Sequence, residues 1–259
     1  METSFFQVEN LAISFGGIKA LQDVSFTMDK GEIFSVIGPN GAGKTTLFNC
    51  ISGLYKPNHG NIRFQGKKVD SEKPDIIAKM GIARTFQNIE LFSNMNTMEN
   101  IMLGRHIHMK TGLFHGMTMW GRSSSAGKEE VMHREKVEEI IDFLELQNVR
   151  DKFVGALPYG TQKLIELGRA LALEPTLLLL DEPCAGMNSE EKQDMIFWIK
   201  DIQDDLGITI LLIEHDMKMV MDISSRVLAI NFGKPVTLGI PQEVQQNEEV
   251  LKAYIGEGD

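Results

Sequence analysis

The 259-residue sequence predicts an α/β fold in which a mostly parallel core sheet is flanked by helices. Short apolar runs alternate with helical patterns after residue 175, and a glycine-rich turn joins a buried-type strand to a helix near residue 38. Parallel strands covered by helices on both faces are typically such apolar runs. The first 30 residues instead alternate apolar and polar side chains, which predicts an N-terminal antiparallel β-subdomain.

The elements follow in order along the chain. Side-chain alternation, or a short apolar run, predicts each of the early strands, and Leu47, Ile51 and Leu54 give the first helix its apolar stripe. The expected elements up to residue 90 are strands at 6–15, 20–28, 33–37, 62–69 and 82–87 and a helix at 44–55.

The middle of the chain is expected to be helical. Helices are predicted at 97–108, around the apolar stripe of 137–144, and at 161–173, while the Gly-, Ser- and Met-rich stretch 109–127 is expected to be a loop or an insertion. Strands and helices then alternate in the last third. They are expected as strands at 176–182, 208–215 and 226–232 and helices at 189–205 and 217–223.

Composition excludes several classes of protein. The 26 basic and 36 acidic residues give a net charge of −10, which disfavours a nucleic-acid partner. The longest apolar run, Met195–Ile199, is far shorter than the roughly 20 residues of a membrane span. Cys50 and Cys184 form no CxxC pair, and no secretory signal is seen at the N-terminus, so we expect a protein of the cytosol.

A phosphate-binding loop is the strongest functional signal. Residues 38–45 match GxxxxGK(S/T) between a strand and a helix, where glycines let backbone N–H groups surround phosphates. Lys44 adds a charge for the β- and γ-phosphates, and the Thr45 hydroxyl suits Mg²⁺. The sequence therefore predicts a purine nucleoside triphosphatase that uses ATP and Mg²⁺. The predicted nucleotide-binding residues here are Gly38, Pro39, Asn40, Gly41, Ala42, Gly43, Lys44, Thr45 and Thr46.

Acidic residues should complete this site. Asp181 and Glu182 end a buried strand, where ligands of open α/β sheets bind. We expect Asp181 to hold Mg²⁺ through water and Glu182 to act as the general base. His215 ends the next strand; a lone histidine is more often structural, but this position favours a catalytic role. Gln87, at the end of a third strand, is uninformative by itself.

Together these motifs resemble, in order and spacing, the ATP-binding subunits of ABC transporters over essentially the whole chain. A segment of the form LxxGxQ at 157–162, here called the signature segment, completes the set. Within that family the sequence looks like the LivG-type subunits of branched-chain amino acid importers. The residues that carry this closer resemblance are Leu157–Gln162, Ala185–Asn188, Ile213–Met217, Val250–Tyr254, and Arg105-His106 followed by Lys110-Thr111-Gly112.

The resemblance implies a single ABC ATPase domain, with a nucleotide-binding core at 1–86 and 175–259 and a helical subdomain at 87–174 that carries the insertion 109–127. It also implies that two subunits close around two ATP molecules, each site being completed by Gly160 and Thr161 of the opposite subunit. Phe15 would stack on adenine, and His215 would contact the γ-phosphate. Gln87 would link Mg²⁺ and the attacking water to the membrane interface.

The same resemblance implies partners and a location. It implies a second ABC ATPase subunit, either a LivF-like paralogue or another copy, two integral membrane subunits, and indirectly a periplasmic or extracellular solute-binding protein; nucleic acid is not expected. The chain would then drive import of branched-chain amino acids or a related solute from the cytoplasmic face of the inner (plasma) membrane. A soluble ABC ATPase of translation or DNA repair is the alternative, and a small-molecule kinase a further one.

Some positions depart from the family pattern or stay open. Pro158 replaces a serine of the signature segment, Thr161 replaces a glutamine, and Asn188 replaces the usual aspartate of the D-loop, the turn after Glu182.

An apolar stretch after Gln87 is a candidate groove for a membrane-subunit helix. That stretch comprises Ile89, Leu91, Phe92 and Met95. Histidines 106, 108, 115 and 133 could suggest zinc, but a polar insertion is the better reading.

Overall fold

The structure, a computed structural model, describes residues 4–109 and 125–255. The chain divides into two compact units, one formed by residues up to Gln87 together with those from Thr176 onward, and the other by Asn88–Pro175. The first unit contains both sheets, and the second contains the helices of the middle of the chain.

The smaller sheet has four antiparallel strands in the order β2-β1-β4-β5. They are β1 (Phe6–Phe15), β2 (Ile18–Met28), β4 (His59–Phe64) and β5 (Lys67–Lys68). This confirms the antiparallel subdomain. The single strand expected at 62–69 is wrong, however, because Gln65 and Gly66 both have positive φ, as in the tight turn of a hairpin.

The larger sheet has six strands in the order β10-β9-β3-β8-β7-β6, all parallel except β10. They are β3 (Ile33–Ile37), β6 (Ile82–Arg84), β7 (Leu177–Asp181), β8 (Thr209–Ile213), β9 (Arg226–Asn231) and β10 (Lys234–Gly239). Every residue of β3, β7 and β8 is buried, which confirms the mostly parallel core sheet. The carboxyl ends of β3, β8, β7 and β6 therefore lie side by side.

Nine α-helices are seen in the described residues. They are α1 (Lys44–Ile51), α2 (Pro74–Lys79), α3 (Thr97–Met102), α4 (Ser125–Phe143), α5 (Tyr159–Leu171), α6 (Ser189–Asp204), α7 (Met217–Ile223), α8 (Pro241–Gln245) and α9 (Glu248–Ile255). No helix in the described ranges is long and apolar enough to cross a membrane.

Several expected boundaries are wrong for local reasons. The helix at 44–55 ends at Ile51, because Gly53 adopts a left-handed conformation. The helix at 97–108 continues as a 3₁₀ helix from Leu103 to His108. The loop 109–127 overlaps the start of α4 at Ser125, while 110–124 lie outside the described residues. The strand at 82–87 ends at Arg84.

Candidate active site

The phosphate loop, residues 38–45, runs from the end of β3 into α1. Its backbone needs glycine at two crowded points. A Cβ on Gly38 would lie 2.1 Å from the Ile230 carbonyl oxygen, and one on Gly43 would lie 2.5 Å from that of Ala20, both at positive φ. The Lys44 ammonium is buried and donates to the carbonyl oxygens of Gly38 (2.6 Å) and Pro39 (3.0 Å), so it lies inside the loop.

A cavity of about 370 Å³ opens over this loop. Its lining contains most of the predicted nucleotide-binding residues together with Gln87 and Glu182, and four residues that the motifs did not indicate. The lining residues are Ile18, Lys19, Ala20, Asn40, Gly41, Ala42, Gly43, Lys44, Thr45, Thr46, Gln87, Glu182 and Phe232. The structure thus brings two of the predicted catalytic side chains to the phosphate loop.

Gln87, Glu182 and His215 lie together, although they follow three different strands. The Gln87 Nε2 donates to Glu182 Oε2 at 2.9 Å, and His215 Nδ1 lies 3.8 Å from the same oxygen. Glu182 has a left-handed backbone (φ 48°), a costly conformation for a residue other than glycine, and one that clusters at functional sites. Its carboxylate is mostly buried, whereas the His215 ring is half exposed.

Asp181 is held by a buried cation. The Arg84 guanidinium donates to Asp181 Oδ2 at 2.7 Å, and the two side chains are 8% and 2% exposed. Arg84 also donates to Asn49 Oδ1 and Ser52 Oγ at the end of α1, and it lies over the rings of Phe48 and Phe86. The contacts of Arg84 therefore fix the carboxylate of Asp181, the predicted metal-binding residue, beside α1. The motifs did not indicate a role for Arg84.

Two further residues of the site were not expected in their roles. The Gly38 N–H donates to the Tyr254 hydroxyl at 2.8 Å, so the end of α9 helps to hold the start of the phosphate loop. Phe232, in the turn between β9 and β10, lines the cavity and is 79% exposed, with a φ of 45°. Tyr254 was part of a family-like segment, but no sequence signal indicated Phe232.

The predicted adenine-stacking residue lies at the end of β1. The Phe15 ring is 44% exposed, and its centroid lies 5.1 Å from that of Tyr55, in an edge contact. A half-exposed aromatic face supported by a second ring is suited to stacking. Phe15 itself is not among the residues that line the cavity described above.

The signature segment lies in the other compact unit. Helix α5 begins at Tyr159, after Pro158, rather than at the expected Thr161, and no side chain caps it. Gly160 is buried and Thr161 is half-buried within its first turn. One turn further on, Lys163 and Glu166 form a buried pair (3.3 Å), and burial raises the pKa of Glu166.

Asn188, at the D-loop position, is the N-cap of α6. Its Oδ1 accepts the N–H groups of Glu190 (2.9 Å) and Glu191 (3.0 Å), and Glu191 Oε2 accepts the Asn188 N–H in return. Asparagine caps helices as well as aspartate does. The missing charge therefore does not weaken the helix start.

The histidines of the second unit form separate contacts. Arg105 Nε donates to His133 Nδ1 at 3.2 Å, His108 contacts the Leu173 carbonyl oxygen at 3.1 Å, and His115 lies outside the described residues. Burial and the nearby Arg105 charge lower the pKa of His133. Within the described ranges, no group of three or more His, Cys, Asp or Glu residues could hold a metal ion.

Comparison with known proteins identifies the family of the chain. A profile of the ABC transporter family matches residues 21–185. The chain is 40% identical over 257 residues to the high-affinity branched-chain amino acid transport ATP-binding protein LivG of Salmonella typhimurium, covering 99% of this chain and 100% of that protein. It is 37% identical, with the same coverage, to the protein of Pseudomonas aeruginosa that has the same description and is named BraF.

Comparison with solved structures identifies the same family. A nucleotide-free ATP-binding cassette from an ABC transporter has a TM-score of 0.84 and 30% identity to this chain, covering 98% of it and 100% of the cassette. The α/β fold, with its antiparallel sheet and its mostly parallel sheet, is therefore that of an ATP-binding cassette. The chain belongs to the ABC transporter family of ATP-binding proteins, in the group that contains LivG and BraF.

Proposed function

We propose that this chain is the ATP-hydrolysing motor subunit of an importer for branched-chain amino acids or a related small solute. The observation that carries the proposal is the cluster of Gln87, Glu182 and His215 beside the phosphate-loop cavity. The substrate class is supported by the LivG and BraF relatives, whose names describe branched-chain amino acid transport.

The residues present fit a nucleoside triphosphate and Mg²⁺. The glycine backbone leaves room where a Cβ would clash, Lys44 supplies a buried charge, and Thr45 lines the cavity with a hydroxyl. Oxygen atoms are the ligands that Mg²⁺ prefers, so Thr45 and Gln87, which line the cavity, would hold it through a hydroxyl and an amide oxygen. Asp181 is not among the lining residues and would hold it through water. When bound, Mg²⁺ neutralises negative charge on the phosphate oxygens. Phe15 would stack on the base.

The chain's own groups would then perform the hydrolysis. Glu182 accepts a proton from the attacking water, and Gln87 orients that water through the amide that already contacts Glu182 Oε2. His215, whose Nδ1 lies 3.8 Å from the same carboxylate oxygen, would contact the γ-phosphate. Gly160 and Thr161, at the start of α5, would complete the site of a second ATPase subunit through backbone N–H groups and a hydroxyl.

Attachment to the membrane would use partner subunits. Phe92 is 57% exposed, and its backbone is fixed by Asn100, whose Oδ1 accepts the Phe92 N–H (2.9 Å) and whose Nδ2 donates to the Phe92 carbonyl oxygen (3.1 Å). An exposed ring on a fixed backbone is suited to receive a helix of a membrane subunit. The chain would then act at the cytoplasmic face of the inner (plasma) membrane, while a periplasmic or extracellular solute-binding protein would supply the solute from the opposite side.

The catalytic part of the proposal is tested by Glu182→Gln. The variant should lose ATP turnover while keeping ATP affinity, because the amide cannot accept the proton but leaves the phosphate loop intact. The matched control is Glu72→Gln, at an exposed glutamate, which should hydrolyse ATP like the wild type. Wild-type turnover by Glu182→Gln would remove Glu182 from the role of general base.

The transport part is tested by co-purification. The chain should co-purify with two membrane subunits and a second ATPase encoded beside it, and Phe92→Arg should weaken that association while sparing ATP binding. Co-purification of Phe92→Arg at the wild-type level would remove Phe92 from the contact. Purification with ribosomes or DNA instead of membrane subunits would favour the soluble alternative.

A further inference from the structure

Glu214 is a buried carboxylate at the end of β8, between the two loops that carry Glu182 and His215. Its side chain is 1% exposed. The carboxylate accepts three backbone N–H groups: Oε1 accepts that of Cys184 at 3.1 Å, and Oε2 accepts those of His215 at 3.0 Å and Asp216 at 3.4 Å. One side chain therefore connects the loop after β7 to the loop after β8.

These hydrogen bonds hold the backbone next to Glu182, which is strained. Glu182 has a left-handed conformation, and its N–H donates to the Ile213 carbonyl oxygen at 2.9 Å, one residue before Glu214. A strained residue persists only where its surroundings hold it firmly. The bond from Cys184 to Glu214 holds the chain two residues after Glu182, so the strained residue is fixed on both sides.

We infer that Glu214 is a positioning residue for ATP hydrolysis, which fixes Glu182 and His215 relative to each other. The inference rests on the proposed function, because it assigns those two side chains to the reaction. The distance it would maintain is the 3.8 Å between Glu182 Oε2 and His215 Nδ1. Glu214 itself lies beneath the two loops and is not among the residues that line the phosphate-loop cavity.

The hydrogen bonds of Glu214 are sensitive to replacement of its carboxylate by an amide. An ionised carboxylate only accepts hydrogen bonds, whereas a glutamine amide has one accepting oxygen and one donating NH₂ group. Both oxygens of Glu214 face N–H donors. Whichever way an amide is turned in Glu214→Gln, its NH₂ group meets at least one N–H group, and the two loops must move apart.

The experiment compares steady-state ATP hydrolysis by the full chain in its transporter assembly for the wild type, Glu214→Gln and a control, Glu32→Gln. Glu32 is also buried and also accepts three N–H groups, from Asp29 and twice from Arg226. It lies before β3, at the opposite end of that strand from the phosphate loop. The control therefore reports the effect of a lost buried carboxylate away from the site.

We expect Glu214→Gln to lower kcat by about tenfold or more while the KM for ATP changes by less than about twofold, because the phosphate loop is untouched. Glu32→Gln should lower the melting temperature but change kcat by less than about twofold. If Glu214→Gln does not fold, Glu214→Asp replaces it; the shorter side chain cannot reach both loops, and the same fall in kcat is expected.

Unchanged kcat in the folded Glu214 variant would overturn the inference, as would an equal fall in Glu32→Gln, which would indicate a general loss of stability. The wild type is measured in the same assay. Absence of wild-type turnover would overturn the proposed function and with it this inference, whereas wild-type turnover matched by the Glu214 variant would overturn the inference alone.

Discussion

The buried pair of Arg84 and Asp181 gives a sharp prediction about stability. In Arg84→Met the apolar stem is kept, but Asp181 loses the guanidinium that lies 2.7 Å from its Oδ2 in a site that is almost fully buried. Removing one partner of a buried ion pair costs about 3–5 kcal/mol, because the other charge stays out of water. At about 2–4 °C per kcal/mol for a chain of this size, the melting temperature should fall by roughly 6–20 °C.

The assay is thermal unfolding followed by circular dichroism, with two comparisons. Lys79→Met breaks an exposed pair, 3.7 Å from Asp75, and should cost less than about 1 kcal/mol. Arg84→Met combined with Asp181→Asn removes both charges and should recover most of the loss. If Arg84→Met unfolded within about 2 °C of the wild type, the reasoning that it leaves Asp181 as an uncompensated buried charge would be refuted.

Three further predictions concern single groups. Tyr254→Phe removes the acceptor of the Gly38 N–H, a bond of 2.8 Å, and should weaken ATP binding about three- to tenfold in calorimetry; unchanged affinity would contradict a role in ordering the loop. Asn188→Ala removes the cap of α6 and should cost about 1 kcal/mol in urea unfolding, whereas Asn188→Asp should be nearly neutral. Burial raises the pKa of Cys50 to about 12, so a thiol reagent at pH 8 should label it only after unfolding, and rapid labelling of the folded chain would contradict this.

The parts of the fold that the sequence predicts well are those set by local patterns. The apolar runs of β3, β7 and β8 predict buried parallel strands, and all three are found. Short elements without a periodic pattern were missed. Helix α2 has six residues and only Ile77 buried, so it shows no apolar stripe, and β10 carries an irregularity between Pro235 and Thr237.

The residues of the site also fall into two groups, those that local motifs predict and those that they do not. Lys44, Thr45 and Glu182 lie in compact motifs whose chemistry follows from neighbouring residues, and the structure places them around one cavity. Arg84 and Tyr254 could not be assigned roles, because their partners lie 97 and 216 residues away in the sequence. Such contacts depend on the order of strands in the sheet, which no local pattern specifies.

That strand order has a consequence for synthesis on the ribosome. Strand β3, which leads into the phosphate loop, pairs on one side with β8 and on the other with β9, and β8 begins about 170 residues later in the chain. At about 5–20 residues per second, β3 waits roughly 10–35 s for its first neighbour in that sheet. During that interval its side chains, which are apolar at every position except Ser35, and its unpaired backbone groups are open to other strands. The nucleotide site is therefore completed late in synthesis, and the nascent chain is most exposed to misassociation at the strand on which catalysis depends.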